Sequence, residues 1–275
     1  MKQYIITIIL ALCLASCSQH SKHWETLTQV ESYIEERPDS ALNVLQGMDI
    51  ENDDYGQMLK YYAQGKVECN DEDYPASIIS FFNAEKIAKK LNNYYILGLI
   101  YHSVSDIYGK VHNNIEQQNY AQLAYDNFIL TGKADNILIG LETLAEAHYN
   151  NNDYDRCAAL SQQLIEKAAE NNDESIINRG LKLLSRSYIK TAKYEDAKDV
   201  LLRLKSQASN LTPQDYRNLC LSYIKTGELD SANVYRRFAQ TEEHKSLWVV
   251  ITDPKTGKPV ANIFDLEEPT ISVDT

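Results

Sequence analysis

The chain has 275 residues, 44% of them apolar, only 10 Gly and 6 Pro, and a net charge of −12. It is long enough for one sizeable domain or an extended array of small ones, and the scarcity of turn formers suits helices. The acidic balance excludes nucleic-acid binding through bulk electrostatics and favours a well-solvated surface. Tyrosine, at 19 against 5 Phe, fits half-buried positions that need a polar tip.

At the N-terminus, Lys2 precedes an apolar run from Tyr4 to Leu14. That run is a sorting signal, too short to span a bilayer as a mature helix. It closes on Leu14-Ala15-Ser16-Cys17, which resembles the bacterial lipoprotein box. The resemblance implies that 1–16 is a signal peptide and that Cys17 becomes the first, lipidated residue of a membrane-anchored protein. Two or three acyl chains on one Cys anchor stably where one is marginal. The alternative is a chance Cys after a plain signal peptide. Residues 17–23 then form a polar tether, and no acidic run follows Cys17 to mark export to the outer face. The expected location is the bacterial cell envelope, at the outer membrane and facing the periplasm. The remaining cysteines, Cys69, Cys157 and Cys220, are odd in number and widely spaced, so they form neither a disulfide framework nor a zinc site.

Trp24 to Tyr33 and Pro38 to Met48 predict a degenerate first helical hairpin, with Pro38 in the first turn of its second helix. Next come repeats near 58–91, 98–131, 138–171, 178–211 and 213–246. In the 178–211 unit, Leu181, Leu184, Ser185 and Tyr188 lie on one helix face, and Ala197, Val200, Leu201 and Leu204 on another after a short break. Gly65, Ser105, Ala145 and Ser185, spaced by forty, mark the close approach of the first helix, and Cys220 continues the slot. Ser77, Gln117, Cys157 and Ala197 mark that of the second. Gln117 stands where a small residue is expected, which leaves the register of 98–131 open by about one turn. Neither helix buries its apolar face alone, so each unit needs its copies. Beyond His244 the helical period stops. Residues 247–275 form a non-repeat tail, read as a β-hairpin capping the last repeat or else as a truncated remnant.

The small-x-x-Tyr, Asp-Tyr and Ala pattern resembles the tetratricopeptide repeat, most clearly at Asn152-Asp153-Tyr154 and at Lys193 to Ala197. The resemblance implies an all-α, right-handed α-solenoid over 24–246. The string Ile34-Glu35-Glu36-Arg37-Pro38-Asp39-Ser40-Ala41-Leu42 also resembles the opening of lipid-anchored or membrane-bound tetratricopeptide proteins of anaerobic Gram-negative bacteria. Many of those continue into a transmembrane helix and a helix-turn-helix domain. The sequence here has neither, which puts a regulator role in doubt.

In such arrays the first helices line a groove, and the resemblance places Arg179, Lys182, Arg186, Lys190, Arg217 and Lys225 along it. Guanidinium forks bind carboxylates bidentately, so an acidic peptide segment or a free C-terminus is the natural ligand. A solvated face paired with neighbouring acids is the alternative. Earlier in the groove lie His102, Asp106, Glu142 and Glu146. These could pair with the basic stripe, bind a basic segment or, less readily, hold a divalent metal. His148 replaces a packing Tyr. No catalytic triad, phosphate loop or HExxH motif is apparent, so no enzyme activity and no cofactor are expected. The sequence therefore predicts a lipid-anchored scaffold that binds a protein or peptide. The alternative is a sensor component relaying partner binding to a separate membrane protein.

Overall fold

The structure, a computed structural model, describes residues 21–207, 211–236 and 238–239, together with the backbone of 248–252 and 259–264. The expected signal peptide and Cys17 lie outside the described residues. Twelve helices occur among the described residues: α1 Ser21–Tyr33, α2 Pro38–Gln46, α3 Asp54–Asn70, α4 Tyr74–Leu91, α5 Tyr94–Lys110, α6 Asn114–Thr131, α7 Ala134–Asn150, α8 Tyr154–Glu170, α9 Glu174–Lys190, α10 Tyr194–Gln207, α11 Pro213–Lys225 and α12 Leu229–Arg236. They fall into two compact units, 1–131 and 132–275. None of the described helices is long and apolar enough to cross a membrane.

The forty-residue period has a local cause. α3, α5, α7 and α9 are each 17 residues long and begin forty residues apart. Each ends in a tight turn whose left-handed residue recurs at the same spacing: Glu72 (φ 62°), His112 (58°), Asn152 (61°) and Ala192 (56°). The second helices end likewise at Asn92, Gly132 and Asn172. Asp or Asn then caps the next helix. The carboxylates of Asp53, Asp73, Asp153 and Asp173 accept backbone N–H groups of the first turn, satisfying donors that the helix leaves open. A first helix of 17 residues, a three-residue turn, a second helix of 17 or 18 and a shorter or equal turn make up each forty-residue unit from Asp54 to Asp173.

The predicted close-approach positions are buried. Ser105, Ala145, Ser185, Ser77, Cys157 and Ala197 are all at most 1% exposed. The Ser77 hydroxyl donates to the Gly65 carbonyl at 2.7 Å and the Ser105 hydroxyl to the Gln117 carbonyl at 3.0 Å, each bond joining the two helices of one hairpin. The register of 98–131 holds with Gln117 buried in its slot, because Gly109 opposite leaves room. A Cβ on Gly109 would stand 2.6 Å from the Gln117 amide. The same exchange of volume seats Phe81 over Gly65 and Phe128 over Gly98.

In the second unit, β1 (Trp248–Thr252) pairs antiparallel with β2 (Pro259–Phe264), Trp248 opposite Phe264, with an irregularity between Ile251 and Thr252. The β2 backbone lies beside α11 and α12, the place expected of a cap on the last repeat. The rest of the tail lies outside the described residues.

Burial decides the chemistry of the thiols. Cys157 and Cys220 are buried, and desolvation pushes both thiols up, Cys220 to about 12. Cys69 is partly exposed. At neutral pH a thiol reagent should label Cys69 in the folded chain within minutes. Cys157 and Cys220 should react only after denaturant is added. Mass spectrometry of labelled peptides reads the difference, and prompt labelling of Cys220 would contradict its burial.

Candidate ligand groove

Within the second unit, α7, α9 and α11 are the first helices of successive hairpins, and α9 touches both of the others. Arg179, Lys182 and Arg186 of the predicted basic stripe meet side chains of α7 or α11, and the structure gives the stripe's members different tasks. The Arg179 Nε donates to Glu142 Oε1 at 2.5 Å, tying α9 to α7. Lys182 faces the Asp215 carboxylate on α11 at 3.9 Å. Arg217 donates to the Gln214 side-chain carbonyl on its own helix. Lys225 lies over the Tyr194 ring of α10, 5.9 Å from its centroid.

Arg186 is held differently. Its guanidinium stacks over Tyr149 at 4.4 Å, a cation–π contact that orients the planar fork, and among the described residues no carboxylate pairs with it. Arg186 and Lys190 line a cavity of about 110 Å³ with Tyr149, Gln214, Asn218 and Leu221. All three first helices contribute to it. Its lining combines an apolar wall and two cations with the Gln214 and Asn218 amides, which are joined by a 3.1 Å hydrogen bond, a combination that suits one polar or anionic chain end.

The acidic positions divide between the units. His102 and Asp106, on α5 of the first unit, lie 3.6 Å apart one helical turn from each other. Glu142 and Glu146 lie on α7 of the second, and Glu142 serves as the partner of Arg179. Among the described residues no group of three or more His, Cys, Asp or Glu is placed to hold a metal ion. His148 is buried, and its Nδ1 sits 3.0 Å from the Asp153 carboxylate that caps α8. It packs and braces a turn.

Charge alone did not find Tyr149, Gln214, Asn218 and Leu221. Gln214, Asn218 and Leu221 are spaced i, i+4 and i+7 on α11, one helix face, so helical periodicity carries that signal. The two-helix frame also missed a network in the first unit. There the hydroxyl of fully buried Tyr62 donates to Glu35, which also pairs with Lys66 at 3.3 Å. Burial and then the Glu35 charge push the Tyr62 hydroxyl well above the usual phenol range.

No protein-family model and no curated protein matches this sequence. Solved structures do match. The apo form of RapI superposes with a TM-score of 0.61 at 20% identity, over 76% of this chain and 60% of that one. The sensor-bearing protein PH0952 from Pyrococcus horikoshii, described as having a tetratricopeptide repeat sensor, superposes with a TM-score of 0.60 at 20% identity, over 76% of this chain and 35% of that one. The chain has the tetratricopeptide-repeat fold. NprR in complex with its cognate peptide NprX shares that fold, with a TM-score of 0.54 at 16% identity over 86% of this chain and 71% of that one. This chain therefore spans about 60% of RapI and a smaller share of PH0952. Identities this low speak to the tetratricopeptide fold and leave ligands to be argued from the residues.

Proposed function

We propose that this protein is a non-enzymatic scaffold that binds a protein or peptide partner in the groove of its second unit, while a lipid on Cys17 holds it to a membrane of the bacterial envelope. The observation that carries the reading is the cavity that Arg186, stacked on Tyr149, lines together with Lys190, Gln214 and Asn218. A free peptide C-terminus or an acidic side chain suits it, since a pre-oriented guanidinium loses little entropy on forming two charge-assisted bonds. The fold shared with a peptide complex of NprR agrees with that use. Arg179 and Lys182, already engaged by Glu142 and Asp215, act as braces holding α9 in register.

The test is cross-linked capture from membranes with the wild type and with Arg186→Glu/Lys190→Glu, after both show the same helical melt. Loss of the captured partner in the double variant is the expected result, and identical capture by both would remove the groove reading. A partner that itself spans the membrane would favour the sensor form of the proposal. For the anchor, Cys17→Ala should move the protein from the membrane fraction to the soluble one. An unchanged membrane fraction would contradict it.

A further inference from the structure

The first unit carries an aromatic cleft that shares no residue with the groove proposed above. α1, α3 and the turn between α4 and α5 enclose an open cleft of about 500 Å³. Its walls are four aromatic rings, Trp24, Tyr55, Tyr94 and Tyr95, with Leu91 and Asn92 at the turn. Trp24 and Tyr55 stand 5.2 Å apart, tilted by 33°. Large aromatics gain by burial, yet Trp24 is 48% exposed and Tyr94 38%. Four rings gathered around one opening form a surface suited to a ligand with its own shape.

One wall of that opening is tied to a carboxylate. The Tyr55 hydroxyl donates to Glu31 Oε2 at 2.6 Å. Burial, followed by Glu31 and Asp53, raises the Tyr55 hydroxyl above the phenol range, and burial with Glu35 and Glu31 raises Tyr95. The nearby lysines are committed elsewhere, Lys66 to Glu35 and Lys90 to Asp54. Glu31 has no ion pair among the described residues, and the Tyr55 hydroxyl is the donor that meets it. A ring whose hydroxyl donates to a carboxylate becomes richer in electrons and a better face for a cation.

We propose that the cleft of Trp24, Tyr55, Tyr94 and Tyr95 binds an organic cation, a guanidinium or quaternary ammonium group, against the faces of its rings with Glu31 as the counter-charge. What favours a cation over a neutral apolar group is the Glu31 carboxylate, which accepts from the Tyr55 hydroxyl of the cleft wall and has no ion pair among the described residues. A small metal ion is excluded as the preferred ligand because the walls offer rings and amides rather than several convergent oxygens. An arginine side chain of a partner and a free quaternary ammonium compound share this chemistry.

The experiment uses the full mature chain carrying Trp248→Phe, so that Trp24 is the sole indole. Tetramethylammonium, N-acetyl-arginine amide and neutral neopentyl alcohol are titrated against Trp24 fluorescence. Saturable binding of at least one cation, with the neutral isostere about tenfold weaker or absent, is expected. A preference between the two cations then tells whether a side chain or a small molecule is the source. Glu31→Gln, which keeps an acceptor for Tyr55, should weaken cation binding about tenfold with the helical melt unchanged. Equal binding of the neutral compound, or no saturable response to either cation, would overturn the proposal. Because Arg186→Glu/Lys190→Glu should leave these titrations unaltered, failure of the groove reading and failure of this one are separable.

Discussion

Phe128→Ala is expected to cost about 3–5 kcal/mol, the usual loss when a large aromatic is cut from a core that cannot collapse onto the space. Phe128 is fully buried on α6 and lies over Gly98 of α5 so closely that a Cβ there would stand 2.5 Å from the ring. The helices were brought together around the ring, so its removal leaves a hole bounded by backbone on one side. In a repeat array each hairpin is held mainly by its neighbours. Amide hydrogen exchange should therefore speed up first across α5 and α6, with α9 and α10 still protected. Gly98→Ala, which overfills the same contact, should cost about 1–3 kcal/mol. A melt unchanged by Phe128→Ala would mean that the seam between α5 and α6 contributes little.

The second large effect is expected at Asp215. This carboxylate is only 4% exposed, yet it accepts the Thr212 backbone N–H at 2.9 Å and the Thr212 hydroxyl at 2.7 Å. Thr212 in turn accepts the Asp215 N–H, completing a reciprocal cap at the start of α11. Lys182 of the preceding hairpin lies 3.9 Å away. Asp215→Leu removes the cap acceptor and leaves a half-buried lysine without its counter-charge, for a loss of about 2–3 kcal/mol in urea unfolding. Asp215→Asn, which keeps an acceptor for Thr212, should lose about half as much. Equal losses for the two variants would assign the effect to the charge on Lys182 rather than to the cap.

Much of the architecture was legible because one small residue recurs every forty positions from Gly65 to Ser185, and such a repeat encodes a hairpin directly. What escaped a one-dimensional reading was exchange of volume between helices. Gln117 looked like a register fault because Gly109, which makes its space, lies on the other helix of the hairpin. The stripe of cations was visible, but its division of labour was not. Whether an arginine braces or binds depends on what the neighbouring helix presents: Glu142 to Arg179, a tyrosine ring to Arg186. The aromatic cleft was invisible for a similar reason. Trp24 and Tyr94 are seventy residues apart, and neither belongs to a repeated slot.

The most direct test of the groove is equilibrium binding of peptides selected from a random library displayed with free C-termini. Each selected peptide is measured as the free acid and as the C-terminal amide, on the wild type and on Arg186→Glu/Lys190→Glu. The account predicts saturable binding of the free acids, weakened about tenfold or more by amidation. The double variant should lose that binding and keep its helical melt. Peptides that bind acid and amide alike, and bind the double variant as well as the wild type, would contradict it.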